Sequence, residues 1–339
     1  MPFLTRFRTS AQIACLLAFG LTSFAQAPPA SQDALLPHVN SPTAPELPES
    51  ETLHARVDEV NVVFTVTENS GRFVSQLSLG DLDVLDNRRA PERISYFQQE
   101  SDLPLRVGLL VDLSDSVTGR FEYEKKAAIT FLQKVLRPNV DEAFLVGFAS
   151  RVNLLQDFTG DVGALSRAVQ RMKLGGDTRL YDAIKFAAAK LRGGSPMGLS
   201  RRAIIVISDG VDTRSDALMY EAIQAALHAE AALFALSSNE ITPHEYPVGE
   251  AVLELVTRPT GGSVLRAHSK SEIVQAFRKI ENALRSQYVV GYKPADFQRD
   301  GNFRTIQIVP RKHKLHVQCR RGYFAPREEQ VSAFHATAP

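Results

Sequence analysis

Three short stretches of the chain carry oxygen-bearing side chains at suggestive spacing. They are Asp112-Leu113-Ser114-Asp115-Ser116, Gly175-Gly176-Asp177-Thr178-Arg179-Leu180, and Ser208-Asp209-Gly210. The candidate metal ligands in them are Asp112, Ser114, Ser116, Thr178 and Asp209. All five offer hard oxygens, two as carboxylates and three as hydroxyls, with no His or Cys among them. Such a set suits Mg²⁺, with Mn²⁺ or Ca²⁺ as alternatives, and is poor for zinc. Spacing by two can turn Asp112, Ser114 and Ser116 to one side of a loop. Two carboxylates nearly neutralise a dication without filling its coordination, so water completes the shell. A carboxylate from a partner protein can then replace one water. That is a binding mechanism, and it requires neither a nucleophile nor a general base.

Enzyme chemistry has fewer footholds. A carboxylate after a buried strand also opens metal-dependent phosphoryl-transfer hydrolases, with Asp112 as the attacking group. Those enzymes need an acid two residues later, where this chain has Ser114. A dinucleotide fold needs a Gly-rich turn at the same place, and there is none. No H-E-x-x-H or G-x-S-x-G motif occurs. His313 and His316 are three apart in a segment read as a strand, which puts them on opposite faces. The basic run Arg311, Lys312, Lys314, Arg320 and Arg321 reads as a solvated strand face. With no nucleophile–base pair to assign, the expectation is a protein that is not an enzyme. The hydrolase stays open as an alternative, as does an envelope scaffold whose metal site is degenerate.

The elements that must position these residues follow from hydrophobic periodicity. Val107 to Val111 is a continuous apolar run, as in a buried parallel strand. Phe121 to Leu136 reads as a helix, Ala143 to Phe148 as a strand, and Val152 to Phe158 as its edge hairpin partner. Helices are predicted over 160–172, 180–191, 216–231, 249–257 and 271–285, with strands over 203–207, 232–236 and 263–266. Asp182 is expected to pair with a basic residue or cap its turn, and Asp212 to serve in a turn or cap a helix. Alternation of strands and helices predicts an α/β fold: a doubly wound, mostly parallel sheet with helices on both faces. Before it, Val57 to Phe97 has period two, and so does Gln287 to Phe324 after it. Neither flank makes a stable sheet alone. The α/β domain is therefore expected to be inserted in one small antiparallel β-domain formed by the N- and C-terminal flanks.

The remaining organisation is read from composition. Arg6 and Arg8, the apolar stretch Ile13 to Leu21 and small residues at Ser23 and Ala25 resemble a cleavable export signal. Residues 26–55 are Pro-rich and predicted to be a disordered linker. The expected divisions are a signal peptide at 1–25, the linker at 26–55, a β-module at 56–102, the α/β domain at 103–286, returning strands at 287–326 and a flexible tail at 327–339. After cleavage one cysteine remains, Cys319, read as a buried structural thiol. The 339 residues carry a net charge of +1, which excludes a strongly basic nucleic-acid binder or a polybasic membrane anchor. The expected address is the periplasm, the cell surface or the medium.

D-x-S-x-S after a first buried strand, a Thr ahead of a helix and S-D-G after a later strand resemble the metal-ion-dependent adhesion site of von Willebrand factor A domains and integrin inserted domains. By that resemblance Ser114, Ser116 and Thr178 ligate the metal directly, and Asp112 and Asp209 act mainly through bound waters. The mature chain is also similar to the von Willebrand factor A-related proteins of Acidobacteria. The similarity lies in Val60-Asn61-Val62-Val63-Phe64, Ser101-Asp102-Leu103-Pro104-Leu105, Leu154-Leu155-Gln156-Asp157-Phe158-Thr159, Leu180-Tyr181-Asp182-Ala183, Ser208-Asp209-Gly210-Val211-Asp212, Leu284-Arg285-Ser286-Gln287-Tyr288 and Arg321-Gly322-Tyr323-Phe324. It implies a metal-dependent protein-binding or adhesion module whose partner is an unknown protein. Asp115 stands where the wider superfamily has Gly, and is expected to tolerate the loop's backbone angles. Asp177 replaces a Gly before Thr178, and a shifted loop or a supporting hydrogen bond is expected from it.

Overall fold

The computed structural model describes residues 59–100, 103–193, 200–237, 248–267 and 269–327. The segment read as an export signal, the whole Pro-rich linker at 26–55 and the predicted tail beyond 327 lie outside the described residues. Among the described residues no helix is long and apolar enough to cross a membrane.

The central sheet has six strands: β4 (Leu105–Asp112), β5 (Glu142–Phe148), β6 (Val152–Thr159), β7 (Arg201–Ser208), β8 (Ala231–Ser237) and β9 (Val264–Arg266), in the order β6-β5-β4-β7-β8-β9. All pairings are parallel except β5 with β6, the expected edge hairpin. Every residue of β4 is buried, as its uninterrupted apolar run requires of a strand covered on both faces. Six helices connect or follow the strands: α1 (Phe121–Val135), α2 (Val162–Gln170), α3 (Leu180–Arg192), α4 (Met219–His228), α5 (Val248–Thr257) and α6 (Lys270–Arg285).

The helices divide between the two faces. Leu109, Val111, Leu145 and Ile205 pack under α1, α2 and α6, where Phe131 stacks on Phe277 at 4.6 Å between centroids. On the opposite face Leu110, Val146 and Val206 meet apolar residues of α3, α4 and α5. Alternate residues of each strand thus feed opposite cores.

The flanks form two antiparallel sheets. One is β12 (Leu315–Cys319), β1 (Val60–Glu68), β10 (Gln287–Lys293) and β3 (Arg93–Glu100) in that order; the other is β13 (Gly322–Phe324), β11 (Phe303–Pro310) and β2 (Leu82–Asp86). Val62, Phe64, Val84, Tyr288, Tyr292, Ile306 and Ile308 form their shared core. The hydroxyls of Tyr292 and Tyr323 both donate to Asp86 Oδ2 at 2.9 Å, which satisfies that buried carboxylate. The strands that lead into and out of the α/β domain are paired, Glu100 facing Gln287. An inserted domain needs ends that lie close together, and this ladder supplies them.

Some local readings change. The helix predicted from Asp216 begins at Met219, because Leu218 is extended and its amide donates to Glu221 as an N-cap, while the amides of Asp216 and Ala217 donate to Asp182. His313 lies in the turn before β12 rather than in the strand, and His316 meets Asn69 Oδ1 at 2.7 Å. Of the basic run, Arg311, Lys312, Lys314 and Arg321 are exposed as expected, Arg311 and Lys312 in surface ion pairs with Asp83 and Asp81, whereas Arg320 is buried and binds Glu230. Cys319 is a free thiol whose pKa is pushed up to about 11 by burial.

Candidate functional site at the carboxyl ends of β4 and β7

Strands β4 and β7 run side by side in parallel register, with Val111 opposite Ile207. Their next residues, Asp112 and Ser208, pair only with the outer neighbours, Phe148 of β5 and Ser237 of β8, so the two strands part here. From β4 the chain crosses to β5 on one side, and from β7 to β8 on the other. Between such strands an α/β sheet opens a crevice. Asp112 sits at its base, 0% exposed. Its Oδ2 accepts from Ser208 Oγ at 2.6 Å and its Oδ1 from the Ser114 amide at 2.9 Å.

Above Asp112 the hydroxyls converge. Ser114 Oγ lies 3.0 Å from Ser116 Oγ. Ser116 Oγ donates to Asp209 Oδ2 at 2.7 Å. The other Asp209 oxygen accepts from the Val211 amide at 3.0 Å. Four of the five sequence-derived residues thus form one connected group. Thr178 is buried in the loop that closes the crevice. That loop is tied to the first, Gly175 N donating to Leu113 O at 2.8 Å and Asp115 N to Gly176 O at 3.3 Å. It is tied to the third as well, since the amides of Thr213 and Arg214 both donate to Thr178 O at 3.0 Å. The Thr178 amide in turn donates to Thr213 Oγ1 at 2.9 Å.

Two glycines make this convergence possible. Gly176 has φ +102° and a Cβ there would lie 2.2 Å from Ser150 Oγ; Gly210 has φ +84° and a Cβ there would lie 2.2 Å from Gly249 O. Any other residue at Gly210 would meet both the left-handed penalty and the α5 backbone. Asp115, by contrast, is not among the residues with positive φ and begins a single 3₁₀ turn, Asp115–Val117. The loop forms without the unusual backbone expected at that position. Asp177 makes an exposed ion pair with Arg214 at 2.9 Å.

Two further acids of the region, Asp212 and Asp182, are structural. Asp212 Oδ1 accepts from the amides of Leu180 and Tyr181 and caps the start of α3 from another loop. Asp182 pairs with Arg179 and holds the segment before α4.

Burial dominates the electrostatics of the crevice. It pushes the Asp112 pKa up to about 6; hydrogen bonds from Ser114 and Ser208 oppose the shift, and the Asp209 charge adds to it. Glu124, in the first turn of α1, is 1% exposed. Burial pushes its pKa up to about 7, against the pull of Arg120 and with the push of Asp112 and Asp209. Its Oε2 is buried without a hydrogen-bond partner. Sequence reasoning missed Glu124, although a signal was present. Phe121, Glu124, Ala128, Phe131 and Val135 fall on one helical stripe, so an acid lies on the face that α1 buries.

Buried acids without a partner cation are costly. Neither Asp112 nor Glu124 forms an ion pair among the described residues. This uncompensated negative charge and the hard oxygen donors fit a divalent cation. Among the described residues no group of three or more His, Cys, Asp or Glu side chains is placed to hold a metal. A donor set of two carboxylates and three hydroxyls is of a different kind.

A doubly wound sheet with hydroxyl and carboxylate oxygens gathered where two central strands end is what the sequence resemblance implies. Residues 107–211, which span all five positions, match the family model described as the von Willebrand factor type A domain. The chain is therefore similar to such a domain over those residues. No curated protein matches the sequence. Among solved structures, the chain is similar to a von Willebrand factor type A protein from Catenulispora acidiphila, at 11% identity over 81% of this chain and 76% of that one, TM-score 0.46. It is similar to an aerotolerance-related membrane protein from Bacteroides fragilis, at 17% identity over 52% of this chain and 98% of that one, TM-score 0.44. A third is the von Willebrand factor domain of a type V pilus tip protein from Porphyromonas gingivalis, at 12% identity over 54% and 95%, TM-score 0.42.

Proposed function

We propose that this chain is an exported, non-catalytic protein-binding module whose adhesion to a protein partner depends on a divalent cation. The observation that carries the reading is the uncompensated buried charge of Asp112 beneath the linked hydroxyls of Ser114 and Ser116. Ser114, Ser116 and Thr178 would hold Mg²⁺, or Mn²⁺ or Ca²⁺, directly, with Asp112 and Asp209 supporting it through water. An ion held there would supply a Lewis-acidic position for a carboxylate of the partner. The chain's own residues do the rest. Ser208 and the Ser114 amide orient Asp112. Asp209 orients Ser116. The Gly175–Gly176 backbone keeps the Thr178 loop against the first loop. The group's hydroxyls donate to the two carboxylates that the reading assigns to the ion, and no His or Lys is among its residues, which supports a binding role over a hydrolytic one. Export rests on the charged and apolar N-terminal segment.

The test is thermal melting of the full chain in EDTA and in rising Mg²⁺ or Mn²⁺. At a hundredfold excess over the dissociation constant, the ion is expected to stabilise by about 2.7 kcal/mol. Ser114→Ala is expected to lose that response while folding normally. A wild-type chain whose melting is indifferent to every divalent ion would refute the proposal. Capture of envelope proteins on the immobilised chain should likewise disappear in EDTA.

A further inference from the structure

The cation reading employs two carboxylates, yet a third lies within electrostatic reach. Glu124 sits one turn into α1, and a ladder of backbone bonds leads to it from the donor loop. Val117 N donates to Ser114 O at 3.3 Å, Arg120 N to Val117 O at 3.0 Å, and Glu124 N to Arg120 O at 2.9 Å. Successive turns therefore carry the chain from Ser114 directly to Glu124, with Val117 and Phe121 buried between them. The side chain points inward and is shielded from water. Its Oε2 meets no hydrogen-bond donor. Asp112 and Asp209 both act on it electrostatically, against a larger opposing pull from Arg120, with which it forms no ion pair. The other acid of this turn, Glu122, is a contrast: its side chain is 77% exposed and pairs with Lys125.

A buried carboxylate with an idle oxygen is an expensive way to fill a helix stripe, since an apolar residue of similar size would pack there at no electrostatic cost. Its position behind two further acids adds to the cost when no cation is present and reverses the sign when one is. Resting on the cation reading above, we infer that Glu124 is a positioning residue of the site: a third anionic group that holds the divalent ion by its charge from behind the donor loop. It is not a direct ligand, because it forms no three-acid cluster with Asp112 and Asp209. Groups that act on a metal from behind its ligands change affinity by about 10–100-fold.

Calorimetric titration of Mg²⁺ and Mn²⁺ into the full chain tests this, with melting in EDTA alongside. The variants are Glu124→Gln, Glu124→Met and, as a same-helix control, Glu122→Gln. Both Glu124 variants are expected to bind the ion about tenfold more weakly, with melting temperatures in EDTA equal to or above wild type. Glu122→Gln is expected to bind as wild type does. A folded Glu124 variant with unchanged ion affinity would overturn the inference and leave the cation reading standing. Loss of folding in both Glu124 variants would assign the residue to the core and overturn it too. A wild-type chain that takes up no ion would remove both readings.

Discussion

The two ends of β4 each meet a buried aspartate, and the two acids are treated in opposite ways. At the amino end Asp141 is 2% exposed. It accepts from the Leu105 amide at 2.8 Å, the Arg137 amide at 2.7 Å and the Arg137 guanidinium at 3.1 Å, and it pairs with Arg285. Burial alone would raise its pKa, but these bonds outweigh it and hold the carboxyl below its ordinary value. At the carboxyl end Asp112 is as deeply buried, yet only hydroxyls and one amide serve it, and its pKa rises to about 6. The same residue type is a finished structural joint at one end and an unbalanced charge at the other. A protein completes its own ion pairs where it needs rigidity. Where it leaves an acid unbalanced in a crevice, a ligand is the simplest completion.

Breaking the finished end should have the largest effect. Asp141→Ala strands two amides and takes the shared carboxylate from two guanidiniums, which retain the Leu103 and Val135 carbonyls, at an expected cost of about 3–5 kcal/mol in urea unfolding. Arg137 and Arg285 keep 33% and 21% of their side-chain surface exposed, so the lower figure is expected. A loss below about 1 kcal/mol would erase the contrast between the two ends. The response to Mg²⁺ should survive in this variant.

The unbalanced end should reveal itself through pH. Asp112 and Glu124 titrate near 6 and 7 in the native chain, above their ordinary values of 3.8 and 4.5. The native protein therefore keeps protons that the unfolded chain has released. Their stabilising contribution is present below the ordinary values and is lost as pH rises through the native ones. In EDTA, Glu124→Gln should gain melting temperature over wild type as pH climbs from about 4.5 to about 7, with a plateau above. The gain should be on the order of 1–3 kcal/mol. A constant difference across that window would contradict the assignment of uncompensated charge to Glu124.

The smallest effect is expected at the rim. Asp177 and Arg214 form an exposed pair, so Asp177→Ala should change stability by no more than about 0.5 kcal/mol. Its ion titration should match wild type. A marked shift in ion affinity would move the boundary of the site outward to include that residue.

Much of the architecture was legible. Continuous apolar runs marked β4 and β7 as strands covered on both faces, and period two in the flanks marked a sheet that neither flank could complete alone. The five oxygen donors stood out because each follows a strand or precedes a helix. The start of α4 was not legible, because Asp182, more than thirty residues earlier, holds the amides of Asp216 and Ala217 outside the helix and Leu218 turns extended to cap it. Asp212 read as a turn or capping residue, but that it caps α3 from a separate loop could not be seen.

The sequence alone determined the chemistry on offer: hard oxygens at Asp112, Ser114, Ser116, Thr178 and Asp209, on an α/β framework set inside a split β-domain. Such features are local, since periodicity and spacing are properties of neighbours along the chain. Only the tertiary structure decided which acids stand uncompensated. Asp141 and Asp112 are the same residue at similar depth, and Glu124 is one of two acids in α1. What separates them is the set of charges that packing brings across from distant segments, Arg285 to one end of β4 and Asp209 to the other. Coulombic neighbours and desolvation are properties of the folded volume, so the balance of charge at the site emerges only when the strands are side by side.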